Sequence, residues 1–198
     1  MKKIISIIGI VCIALILMST DQITQTQIEP TNIGTAATGV TALEYGDQFN
    51  HVTKLTVSTT LPAIAGGANL GVGVLIYTLP TGACLIEGSQ ASITLTAADG
   101  NIDADTPEVG IGTVIASGAV TALNGTATFE NILTGQVATN CSGTATVKGA
   151  SATAGVLLEI TSAGAHTIYI NVADGWAASG ETACPVTATI YLFWKYIG

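Results

Sequence analysis

From about residue 40 to the C-terminus, apolar and polar residues alternate in short runs that stop at Gly, Asp, Asn or Pro. Alternation with period two marks a strand that buries one face. The runs 40–45, 51–60, 72–80, 83–87, 91–98, 109–117, 119–123, 126–133, 144–148, 156–160, 165–172 and 186–197 read this way. In 91–98, Ile93 and Leu95 point one way and Ser92, Thr94 and Thr96 the other. In the last run Val186, Ala188, Ile190, Leu192 and Trp194 share a face. Asn124-Gly125, between 114–123 and 126–133, is the clearest hairpin signal, because Asn-Gly accepts the positive φ of a two-residue turn. Pro80-Thr81-Gly82 is a second turn signal. Nothing past residue 20 has a helical period. The pattern predicts an all-β chain: a β-sandwich, jelly-roll-like, of about ten short strands.

The N-terminus is a different object. Lys2-Lys3 precede an unbroken apolar and small-residue run at 4–18. A basic start and a short apolar stretch make an export signal, and the run is short for a membrane span of about 20 residues. No A-x-A pattern follows; Met18-Ser19-Thr20 stand before Asp21. The expected organisation is a signal-like or anchor segment at 1–20, a polar linker or arm at 21–37 and the sandwich at 38–198. Contact with a membrane is expected only through 1–20, and only if that segment stays uncleaved.

Composition changes the picture in one respect. The chain is 48% hydrophobic but only 9% charged, against roughly 25% for ordinary soluble domains. Thr, Ser, Asn and Gln supply the polarity, which suits strands and suits burial against neighbouring subunits. Beyond Lys2 and Lys3, only Lys54, Lys148 and Lys195 are basic, against thirteen acids and no Arg. Nucleic acid is excluded as a partner, since phosphate binding needs clustered cations. Three cysteines lie beyond the apolar run, Cys84, Cys141 and Cys184. An odd number leaves open one disulfide with a spare thiol, an intermolecular bridge, or three small buried residues. Without a C-x-x-C, zinc has no support.

Candidate chemistry is sparse. The acidic stretch from Asp99 to Glu108 begins D-x-N-x-D, with Asp99, Asn101, Asp103 and Asp105 as candidate calcium ligands. Ala104 replaces the required Gly and Gly110 the bidentate Glu of a helical calcium loop. The plain alternative is a solvated turn held by Asx hydrogen bonds. Calcium is the one cofactor considered. His51 and His166 are far apart in sequence, and no G-x-S-x-G is present. Gly71-Val72-Gly73 and Gly110-Ile111-Gly112 lack the third glycine of a dinucleotide loop and read as close strand packing. Asn124 and Asn140 open glycosylation sequons, and Trp176 follows the turn residues Asp174-Gly175 as a core anchor or a stacking platform. No acid/base pair is legible, so the expectation is a protein that is not an enzyme.

Several strings carry a family resemblance: Val74-Leu75-Ile76-Tyr77-Thr78-Leu79-Pro80, Asp105-Thr106-Pro107-Glu108-Val109-Gly110-Ile111-Gly112-Thr113, the stretch 125–135, and 165–176 with the aromatic last strand. Through them, residues 38–198 resemble poorly characterised β-rich proteins encoded among the virion genes of marine tailed bacteriophages. The resemblance implies a virion component, a capsid, tail or fibre part, with no active site to carry over. Its partners would be itself, as a homo-oligomer, or other virion proteins. The apolar leader implies the alternative, an exported cell-surface or extracellular filament or adhesin subunit.

Overall fold

The computed structural model describes residues 33–63, 70–96, 107–120, 122–123, 127–137, 144–151, 156–158, 166–173 and 183–198. They form twelve strand segments. These are β1 (Thr35–Ala36), β2 (Val40–Gly46), β3 (Asn50–Leu61), β4 (Leu70–Leu79), β5 (Cys84–Thr96) and β6 (Glu108–Gly112). Then come β7 (Gly118–Ala119), β8 (Leu133–Val137), β9 (Thr144–Ser151), β10 (Val156–Leu158), β11 (His166–Ala173) and β12 (Cys184–Tyr196). A 3₁₀ turn spans Ala127–Phe129.

All pairings are antiparallel, in two six-stranded sheets that make a β-sandwich. The first sheet runs β1-β4-β11-β6-β8, with β7 beside β4; the second runs β10-β5-β12-β3-β2, with β9 beside β5. The pairings are nested: β3 with β12, β4 with β11, β5 with β9 and β10, and β6 with β8. One long hairpin is thus rolled up until β12 also meets β5 and β11 also meets β6. The all-β sandwich agrees with the sequence expectation.

The alternation read from sequence decides which faces meet. Val186, Ala188, Ile190, Leu192 and Trp194 of β12 are all buried, as are Ile93 and Leu95 of β5. They pack against Ile76 of β4, Ile111 of β6 and Ile168, Ile170 and Val172 of β11 in one core cluster. Each such side chain contributes about 1.5–3 kcal/mol. Pro185 is tolerated in a central strand because pairing with β5 begins one residue later, at Val186.

Three local expectations change. The runs 83–87 and 91–98 are one continuous strand, β5, with an irregularity opposite Phe193 and Trp194. Ile86 pairs with Trp194 and Gly88 with Phe193, so Glu87 is the extra residue of a bulge. The bulge restores inward parity at Ser89, whose hydroxyl donates to Ile132 O at 2.9 Å.

The run 109–117 keeps strand form only to Gly112. The hairpin expected at Asn124-Gly125 has its turn outside the described residues, and among the described residues its flanks are not paired with each other. Gly118–Ala119 joins β4 instead, and Ala127–Phe129 is a 3₁₀ turn. The physical reason is a second apolar cluster, Ala116, Leu123, Phe129 and Ala173, with Val120 packed on it. Residues 113–120, 122–123 and 127–132 fold back over the outer face of the first sheet. Asn171 of β11 anchors this excursion. Its Nδ2 donates to Val114 O (2.9 Å) and Phe129 O (2.8 Å), and its Oδ1 accepts from Ala116 N (2.8 Å). At the two ends Asn131 Nδ2 donates to Thr113 Oγ1, while Thr113 N donates to Asn131 Oδ1. Gly112 lets the excursion close, because a Cβ there would lie 2.3 Å from Thr128 O.

Candidate functional site

Among the described residues, the first sheet is covered on its outer side and the second is open. Strand parity sends alternate residues of β9, β5, β12, β3 and β2 onto the open face, and the register lines them up in rows. One row reads Lys148, Ser92, Thr189, Thr56, Thr41 across five strands. Its neighbour on one side reads Thr146, Thr94, Thr187, Ser58. On the other side stand Gln90, Tyr191, Lys54 and Leu43, followed by Phe193, Val52 and Tyr45. The face therefore grades from hydroxyls to aromatic and aliphatic side chains.

Over β5, β9 and β12 the face carries a groove of about 410 Å³. Its floor is the Ala91–Gly149 pair; Gln90, Ser92, Lys148, Thr189 and Tyr191 line it. All three lysines beyond residue 20 stand on this face. Lys195 is paired with Glu87 at 2.6 Å, a contact made by the β5 bulge. Lys54 lies 5.9 Å over the Tyr191 ring. Among the described residues neither Lys54 nor Lys148 has a carboxylate partner.

At the β2 side the face ends in exposed apolar residues: Leu43 (55%), Tyr45 (45%) and Phe49 (63%). Phe49 sits in the turn between β2 and β3. Asp47 shapes this turn by accepting from Phe49 N and Asn50 N, both at 2.7 Å. Those hydrogen bonds, Asn50's first, hold the Asp47 carboxyl below its ordinary value, and His51 adds to the effect.

A second constellation lies between the sheets. Gly34 N donates to Tyr77 Oη (2.9 Å), and Tyr77 Oη donates to Glu44 Oε1. Glu44 Oε2 accepts from Thr53 Oγ1, which accepts from Trp194 Nε1, both at 2.8 Å. Burial first, then the bond to Glu44, pushes the Tyr77 hydroxyl above its ordinary value. His51 stacks on Trp194 with ring centroids 3.9 Å apart, and neither of its ring nitrogens has a hydrogen-bond partner. This line ties β1, β2, β3, β4 and β12 together at the open side of the sandwich. Its carboxylate and phenol are bonded to each other inside the sandwich, and it reads as a structural clamp.

No protein-family model, curated protein or solved structure matches the chain. Function therefore rests on the residues themselves.

The candidate calcium ligands Asp99, Asn101, Asp103 and Asp105 lie outside the described residues, as do Cys141 and Trp176. Among the described residues no three His, Cys, Asp or Glu cluster as metal ligands. His51 and His166 stand on different sheets, in β3 and β11. Cys84 pairs with Tyr196 at one end of β12, and Cys184 starts the other end. Thirteen residues of strand put them roughly 40 Å apart, so they cannot bridge each other. The groove residues Gln90, Ser92, Thr189 and Tyr191 were not singled out by sequence reasoning. Parity alone would have placed Lys54, Lys148 and Lys195 on outward faces, opposite Leu55, Val147 and Trp194. That they share one face follows only from the order of strands.

Proposed function

We propose that this chain is a non-enzymatic structural protein of a virion that works by self-assembly, with a second copy of itself as the first partner. The observation that carries the reading is the free edge at β2. Among the described residues no strand lies beyond β2; Val40 N turns back to Ala37 O, and no ladder covers the outer edge at Ala42 and Glu44. Natural sheets guard such edges with charge, proline or bulges. Here the only charged residue of β2, Glu44, is engaged inside with Thr53 and Tyr77. Leu43 and Tyr45 stand exposed instead, with Phe49 beside them. Antiparallel pairing of β2 with its own copy is two-fold symmetric, extends the second sheet across two molecules and covers this apolar corner. The nested antiparallel pairing of the sandwich and the resemblance of the quoted strings to phage virion proteins support the same reading.

Analytical ultracentrifugation of the purified chain tests it. Dimers or larger assemblies that dissociate when Tyr45→Lys and Leu43→Lys are introduced together are expected. A strict monomer at high concentration would overturn the assembly reading. The apolar run at 4–18 favours a second reading, an exported cell-surface or filament subunit. Mass spectrometry separates the two: peptides of the chain in purified particles support the virion, and peptides confined to the cell envelope support the surface subunit.

A further inference from the structure

We infer that the groove on β5, β9 and β12 is a binding site for an acidic saccharide, a pyranose unit carrying a carboxylate. The volume, about 410 Å³, falls in the range of small-molecule sites, roughly 300–1,000 Å³. The lining is mainly apolar surface with a few polar groups placed to meet a sugar's hydroxyls. Tyr191 offers a ring on which the apolar face of a pyranose stacks, with its hydroxyl available at the rim. Gln90 has both donors and an acceptor, and Ser92 and Thr189 each donate and accept, so vicinal sugar hydroxyls find partners in either sense.

Charge selects among sugars. The chain carries a net −8, yet this face gathers Lys54, Lys148 and Lys195, and only Lys195 is neutralised, by Glu87. Lys148 lines the groove and Lys54 stands over Tyr191. Two cations without carboxylate partners among the described residues, on either side of one aromatic platform, suit a carboxylate on the ligand. A carboxylate would engage Lys148, which otherwise stands exposed to solvent. A nucleic acid would need many more cations than two. The site is independent of the assembly proposed above, because that uses the edge of β2 and the groove lies on the far strands of the sheet.

The test is isothermal titration of the full chain against short oligomers of galacturonate, glucuronate, mannuronate and guluronate. Methyl-esterified galacturonate serves as the uncharged control and polyglutamate as the control for charge alone. At least one uronate is expected to bind with Kd below about 1 mM, and its methyl ester and polyglutamate at least tenfold more weakly. Lys148→Gln and Tyr191→Ala, each checked for an unchanged melting transition, are expected to weaken binding at least tenfold, and Lys195→Gln to leave it unchanged. If Tyr191→Ala fails to fold, Lys148→Gln and Lys54→Gln carry the test. No binding across the panel, equal binding of ester or polyglutamate, or undiminished binding by Lys148→Gln would each overturn the assignment.

Discussion

Asn171 shows how much one buried amide can hold. It makes three hydrogen bonds to main-chain groups of residues 114, 116 and 129, and it is fully buried. Asn171→Ala strands two carbonyls and one N–H, each worth about 1–3 kcal/mol when buried unpaired. The expected loss is roughly 3 kcal/mol or more by urea denaturation, and the second apolar cluster should become accessible to proteolysis. Cys84 makes a pH prediction. Burial pushes its thiol from the ordinary 9.0 up to about 11. The folded state thus holds this proton more tightly than the unfolded chain does. The associated stability is complete below pH 9 and is lost as pH rises through about 11. Tyr77, raised in the same direction, extends the loss to higher pH. The urea midpoint should fall between pH 9 and 11, and Cys84→Ala should flatten the slope there. A midpoint that stays level to pH 11 would contradict this.

Among the elements, β2 and its turn are the weak border of the sandwich. Gly46 has φ +122°, and a Cβ there would lie 1.9 Å from Asn50 O. Gly46→Ala should therefore disturb the β2–β3 turn, lower stability by roughly 1–3 kcal/mol and weaken self-association with it, because Phe49 and Tyr45 flank the turn. Sedimentation and thermal melting of this variant check both effects; an assembly of unchanged strength would argue for a different interface. By contrast β12 is central, with β3 on one side and β5 on the other. Its alternation was the strongest in the chain, and the structure uses all of it. A chain ending at residue 183 should show no cooperative unfolding transition, since removing β12 separates β3 from β5 and takes away Trp194.

On the scale of the whole molecule, nested pairing makes folding a long-range problem. β3 must find β12 across more than a hundred residues. Loop closure is costly before such contacts form, so refolding is expected in the range of milliseconds to seconds, the slow end for single domains. Stopped-flow fluorescence would read this; microsecond refolding would be inconsistent with the topology. By itself the sequence determined the strand content, the inward parity of β5, β11 and β12 and the low charge, because each depends on neighbours two residues apart along one strand. It also showed that only three lysines lie beyond residue 20. Only the tertiary structure decided that Leu123 and Phe129 leave the ladder to cover the first sheet, that Glu87 is bulged out to meet Lys195, and that Lys148, Ser92 and Thr189 form one row with Tyr191 beside them. Those facts depend on which strands become neighbours and in what register. Strand order is set by packing and loop closure over the whole chain, and no local pattern encodes it.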